Sequence, residues 1–284
     1  MIIWLASYPK SGNTWLRALL AAYFFSKNGN FEFNLLKKID QFPSVKYFKD
    51  DKELYLEVES TSKHWIKKQN IINSDKKIKF FKTHSAMCKI SGNSFTNKQN
   101  TLGAIYIIRD PRNVVTSLAN HYQIKIKEAL EFMQDKKKAI YEIDNGSYKG
   151  FVPLLSWNLH HESWLNNKAF PILLIKYEDL CSQTFYTFKK VITFIQKLTK
   201  TSDNFNREKA KRVIKSCEFE KLKNLEEKDG FFEAVKNKNS NEKIKFFNLG
   251  KENDYNKILK KDFLEELNSK YLSELIKFNY EKSS

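Results

Sequence analysis

Lys10, Ser11, Gly12 and Thr14 bring a mobile ammonium, two hydroxyls and a backbone free of side-chain bulk into one short loop. Such a grouping suits an anion: the ammonium supplies charge, the hydroxyls donate, and glycine lets the main chain approach closely. The loop follows Ile2-Ile3-Trp4-Leu5-Ala6, an apolar run that reads as a strand buried on both faces, and opens a Leu- and Ala-rich helix over 14–25. A helix starting there leaves N–H groups unpaired and turns the positive end of its dipole toward the loop, so phosphate or sulfate is the fitting ligand. The run Tyr8-Pro9-Lys10-Ser11-Gly12-Asn13-Thr14-Trp15 is not a Walker loop. It lacks the first glycine of that motif, and its lysine precedes the glycine.

Other ionisable residues stand at comparable places. The periodicity predicts strands over 78–82, 102–108 and 172–176, each followed at once by polar residues: Thr83-His84, Arg109-Asp110 and Tyr177-Glu178. Asp110-Pro111 marks the start of a helix over 112–122, with a carboxylate cap and proline at the first helical position. Further helices are expected over 125–138, 155–166 and 261–278, and the chain after the fourth strand reads as largely helical. Residues 31–77 show no clear period beyond a helix near 59–69, and the expectation is a segment lying over the active site. Short apolar strands alternating with longer helices predict an α/β fold, a central parallel sheet flanked by helices in one domain over 1–284. Ligands of such sheets bind outside the carboxyl ends of the strands, so the four polar strand ends should meet in one crevice.

Composition narrows the class. The chain carries 50 basic and 33 acidic residues for a formal charge of +17, but only five of the basic residues are arginine. Lysine is a hydrated point charge and reads bases poorly, so a lysine-rich surface is a weak nucleic-acid signature. Cys88, Cys181 and Cys217 are odd in number and far apart, which supports neither a disulfide framework nor a metal site. The apolar stretch over 16–25 is broken by Arg17 and too short to span a bilayer. These features predict a cytoplasmic protein with no membrane span.

The loop from Tyr8 to Trp15 resembles the 5′-phosphosulfate-binding loop of the cytosolic-type sulfotransferases, which use 3′-phosphoadenosine 5′-phosphosulfate (PAPS). That family has threonine where Asn13 stands. Arg109-Asp110-Pro111-Arg112-Asn113-Val114-Val115-Thr116-Ser117 is similar to the family's 3′-phosphate segment, whose arginine and serine lie eight apart, as here. An arginine fork leaving a strand end can grip a phosphate bidentately, and Ser117, about two turns into the helix, can return to the same anion. Lys82-Thr83-His84 resembles the family's Lys-Thr-His. The resemblance makes His84 the base that takes the acceptor's proton, Lys10 the cation at the leaving oxygen, and Lys82 a neighbour of the sulfuryl group. Imidazole suits that task near neutral pH, and positive charge is needed where the transferring and departing groups gain negative charge.

Softer matches extend the resemblance. Tyr177-Glu178-Asp179 is similar to a Tyr-Glu-Asp segment on the adenine side, and Trp15 would offer the base an aromatic face. Cys217-Glu218-Phe219-Glu220-Lys221-Leu222 is similar to a Thr/Ser-x-Phe-x-x-Met segment contacting adenine, with Cys217 where a hydroxyl is usual. Asn248-Leu249-Gly250-Lys251-Glu252-Asn253-Asp254-Tyr255 resembles Arg-Lys-Gly-x-x-Gly-Asp-Trp, but Asn248 and Leu249 replace the two residues that bind the 3′-phosphate, leaving Lys251 to substitute. The resemblance implies in-line sulfuryl transfer to a hydroxyl on a small-molecule, lipid or carbohydrate acceptor. Adenosine 3′,5′-bisphosphate (PAP) is then left, and no metal is needed. A P-loop kinase and a basic polyanion binder are the competing readings, disfavoured by the missing Walker glycine and the scarcity of arginine. Trp157, His160 and Trp164 share one helix face and read as core, while His121 and His161 carry no motif.

Overall fold

Ile2–Ala6 forms β1, and all five of its residues are completely buried. Alternate side chains point to opposite faces of a strand. Ile2, Trp4 and Ala6 therefore enter one core, with Tyr106 and Ile108, while Ile3 and Leu5 enter a second, with Ile105 and Ile107. A strand apolar on both faces needs a layer on each side, and this sequence supplies both.

The computed structural model describes residues 1–48, 58–144, 147–234, 243–250 and 253–281. After β1 come α1 (Asn13–Phe25), β2 (Asp40–Gln41), α2 (Trp65–Ile72), β3 (Lys79–Thr83), the small hairpin β4 (Lys89–Ile90) and β5 (Asn93–Ser94), and β6 (Thr101–Ile108). The middle of the chain holds α3 (Pro111–Tyr122), α4 (Ile126–Gln134), β7 (Ala139–Asp144), β8 (Ser147–Pro153), α5 (Trp157–Leu165) and β9 (Ile172–Lys176). The last part is helical: α6 (Tyr177–Ser182), α7 (Thr184–Thr199), α8 (Arg207–Ser216), α9 (Phe219–Asp229), α10 (Tyr255–Ile258) and α11 (Lys261–Lys277). The sheet runs β2-β3-β1-β6-β9 with every neighbouring pair parallel. Residues of α1, α7 and α8 bury against one face, and residues of α3, α4, α5 and α11 against the other. The central parallel sheet flanked by helices is the expected α/β architecture.

The differences from expectation bear on the site. Of the segment expected over the active site, 31–77, residues 49–57 lie outside the described residues; its described part contributes the edge strand β2 and buries Phe42, Phe48 and Trp65 in the core. Its described residues reach the main cleft only through Gln41. Instead, the antiparallel hairpin β7–β8, which has no counterpart in the expected elements, sends Ile140, Tyr141 and Val152 to that cleft. The helix expected over 125–138 stops at Gln134, where Asp135 turns extended and the chain enters the hairpin.

Candidate active site

The carboxyl ends of β1, β3 and β6 open into one cleft of about 1840 Å³. At the end of β1 the chain turns through Lys10, held at φ 64°, and Gly12, held at φ 95°, before α1 begins. The glycine is required: a Cβ there would lie 2.4 Å from the Tyr177 ring in a backbone conformation that L-residues avoid. Ser11 is buried with no hydrogen-bond partner for Oγ among the described residues. An orphaned buried hydroxyl is costly unless something binds it, which suits an anion entering the loop. Asn13 lines the cleft and donates its amide to Leu5 O at 2.9 Å and Ser7 Oγ at 3.2 Å. Its side chain thus braces the loop against β1.

Lys10 extends its ammonium over the Phe246 ring, 4.2 Å from the centroid. Burial, aided by Arg109 and Lys82, lowers the Lys10 pKa to about 7. A bound dianion would restore the charge, so nucleotide binding at pH 8 should take up a substantial fraction of a proton. Below about pH 7 the ammonium is already charged, and this uptake should fade. Calorimetry in two buffers of unlike ionisation enthalpy measures it, and Lys10→Met should abolish it.

At the end of β3, Lys82 and His84 both line the cleft. His84 Nδ1 lies 2.8 Å from Ser7 O, which can only accept, so Nδ1 carries the proton and Nε2 is the basic nitrogen. Burial and the nearby Lys82 push the His84 pKa down to about 3, so the ring is neutral at pH 7. The face of α5 that reads as core is core, and it does more. His160 Nε2 donates to His84 O at 3.0 Å, and Trp164 Nε1 donates to Ser85 O at 3.0 Å. His160 Nδ1 in turn accepts from Tyr106 Oη at 2.7 Å, which fixes its tautomer. Two buried rings therefore hold the backbone that aims His84.

Arg109 leaves the end of β6, donates to Lys10 O at 3.0 Å and stacks on Tyr177, with 4.4 Å from the guanidinium carbon to the ring centroid. Its Nε is buried with no partner among the described residues. Asp110 caps α3 by accepting from Arg112 N at 2.9 Å and pairs with the Arg112 guanidinium at 2.7 Å, so this carboxylate turns away from Arg109. Ser117 lines the same cleft from α3. Trp15 donates to Cys217 O at 2.9 Å and meets Tyr177 edge to face. Cys217 is buried and its sulfur does not reach the cleft. Its contribution is the main-chain carbonyl that orients Trp15, while Phe219 and Leu222 line the wall. Asn248, Leu249 and Gly250 also line it, and Gly250 lies on Phe219 so closely that a Cβ would come within 2.6 Å of the ring. Lys251 lies outside the described residues.

Other cleft residues carry no sequence motif, His121, Phe246 and Glu233 among them. His121 stands one helical turn after Ser117, its pKa lowered to about 3 by burial, Lys10 and Lys82. Phe246 lies under Lys10, and Glu226 accepts from Phe246 N and Phe247 N at 2.8 and 2.9 Å, fixing that stretch. Glu233 pairs with Lys82 at 3.0 Å and with Arg17, and accepts from Thr14 Oγ1 at 3.5 Å. The i, i+4 spacing of Ser117 and His121 was the one readable signal among them. Among the described residues, no cluster of His, Cys, Asp and Glu could hold a metal ion, and no helix is long and apolar enough to cross a membrane.

The family model for the sulfotransferase domain matches residues 2–279. Sulfotransferase 2A6 of Rattus norvegicus is 33% identical over 116 residues, 40% of this chain and 38% of its own length. Cytosolic sulfotransferase 16 of Arabidopsis thaliana is 25% identical over 226 residues, 79% of this chain and 61% of its own. The chain thus spans less than two thirds of these curated relatives. In three dimensions it is similar to retinol dehydratase solved in a complex with retinol and PAP, with a TM-score of 0.60 at 15% identity, over 97% of this chain and 81% of that one. That likeness is one of fold. With a match running nearly end to end, the chain belongs to the sulfotransferase-domain family.

Proposed function

We propose that the chain moves a sulfuryl group from PAPS to a hydroxyl on a small-molecule, lipid or carbohydrate acceptor. One observation carries this reading: a neutral imidazole of fixed tautomer, two ammonium groups and an arginine line one cleft at the ends of three adjacent parallel strands. The orphaned Ser11 Oγ and Arg109 Nε suit the two anionic ends of the nucleotide. The donor, when bound, supplies an activated sulfuryl group whose bond to the phosphate oxygen breaks as a bond to the acceptor oxygen forms. His84 Nε2 takes the proton from the acceptor hydroxyl, and Ser7 O holds the opposite N–H as the ring becomes charged. Lys10 and Lys82 supply positive charge where negative charge collects. Arg109, with Ser117, holds the far phosphate, and Tyr177, Trp15, Phe219 and Leu222 wall the adenine side.

Ile124, Ile126, Ile140 and Val152 give the cleft an apolar wall, which favours an acceptor with an apolar body beside its hydroxyl. The three free cysteines and a nucleotide donor are in keeping with a cytoplasmic setting. Incubation with PAPS and a panel of phenols, sterols and simple sugars, with release of PAP as the readout, tests the proposal. Release that requires an acceptor supports it, and release with none of the panel counts against it.

A further inference from the structure

Arg17 is an arginine with no assigned task, buried to 3% exposure one turn beyond the anion loop. Its register puts it on the same face of α1 as Thr14. One end of the guanidinium is anchored, Nη2 donating to Leu36 O at 2.9 Å, while Nη1 pairs with one oxygen of Glu233. The other oxygen of that carboxylate takes Lys82 Nζ at 3.0 Å and Thr14 Oγ1 at 3.5 Å. Thus a single carboxylate bridges three donors from α1 and β3, two of them cations. All but Arg17 also line the cleft.

We propose that Arg17, Thr14 and Lys82 together form the site for the sulfuryl group of the donor, and that the Glu233 carboxylate is an internal stand-in for that group, displaced when the donor binds. The inference rests on the donor assignment above and adds one binding residue, Arg17, and one competitor, Glu233.

Geometry and charge argue for it together. A carboxylate and a sulfuryl group both present closely spaced anionic oxygens, and both are matched by an arginine fork with a second cation beside it. With Glu233 in place, its carboxylate already engages both cations, so an incoming anion must compete with it. Two anions cannot share Arg17 and Lys82 without repulsion, so one must yield. Exposure identifies which: the Arg17 and Lys82 side chains are 4% and 8% exposed, whereas Glu233 is 18% exposed and follows α9 in a stretch free of regular structure. The carboxylate is ionised at neutral pH; burial alone would raise its pKa, but Lys82 and Arg17 bring it down to about 2. Lys10, Arg109, His84 and His121 are further ionisable groups among the described residues that face the same cleft.

The test compares PAPS, which carries the sulfuryl group, with PAP, which lacks it. Dissociation constants for both are measured by calorimetry on the wild type, Glu233→Gln, Arg17→Gln and Arg17→Lys. Glu233→Gln should bind PAPS about tenfold tighter while PAP changes by less than about threefold, since a charged hydrogen-bonding competitor is removed from one subsite only. Arg17→Gln should weaken PAPS by about tenfold and spare PAP, and Arg17→Lys should fall between. Retained PAP binding certifies that each variant is folded. If Glu233→Gln leaves PAPS affinity unchanged or weakens it, the carboxylate only orients Lys82 and the inference is overturned. A wild type that binds both nucleotides with variants that do not discriminate between them removes the inference alone. A wild type that binds neither removes the donor assignment as well.

Discussion

Replacing His84 by asparagine should lower kcat by about three orders of magnitude, the middle of the range for a positioned general base. PAP affinity should stay within about twofold, because on the proposed reading Lys10, Arg109 and the loop hold the nucleotide and the imidazole does not. Asparagine is the informative choice, since its amide can still donate to Ser7 O and keep the turn intact. The wild-type rate should be flat across neutral pH as far as His84 is concerned, because burial and Lys82 already keep its ring neutral there. A single-turnover assay with PAPS and calorimetry with PAP separate the two effects. An equal loss in both would instead make His84 a binding or structural residue.

The second large effect is expected at Arg109. Its guanidinium does two things, bonding Lys10 O to pin the loop and leaving Nε for an anion. Asn248 and Leu249 stand where the resemblance places an arginine and a lysine, and Lys251, the expected substitute, lies outside the described residues. On the proposed reading, the loss of those two charges leaves Arg109 a larger share of the grip on the 3′-phosphate. Arg109→Ala should weaken PAP by about a hundredfold, near 3 kcal/mol, as for loss of a buried charged donor that also organises its neighbours. Arg109→Lys should recover little, because one ammonium cannot bond the Lys10 carbonyl and a phosphate in fixed directions. Calorimetry with PAP reads both variants.

Much of this was legible in the chain because parallel strands buried on both faces leave unbroken apolar runs. β1 and β9 fall at their expected residues, and β3 and β6 within one residue of them. The helix start at Asp110-Pro111 was legible for a local reason, cap and proline being adjacent. The hairpin β7–β8 escaped although Asn145-Gly146 between two β-prone runs is a strong hairpin signal. β2 could not be found, since two residues show no period. In the site, residues fixed by a loop or a strand end were readable: Lys10, His84 and Arg109 all reach the cleft. Glu233 was not, because its partners Arg17 and Lys82 lie more than 150 residues away and only the folded chain brings them together. His160 read correctly as core, yet its donation to His84 O needed the structure.

The most direct measurement is a thermal-shift titration with PAP. Saturation at a hundred times Kd stabilises the native state by about 2.7 kcal/mol, so Tm should rise by about 5 °C in a protein of this length. Lys10→Ala should reduce the rise. No change in the wild-type Tm at millimolar PAP would contradict the assignment of this cleft to the sulfated nucleotide.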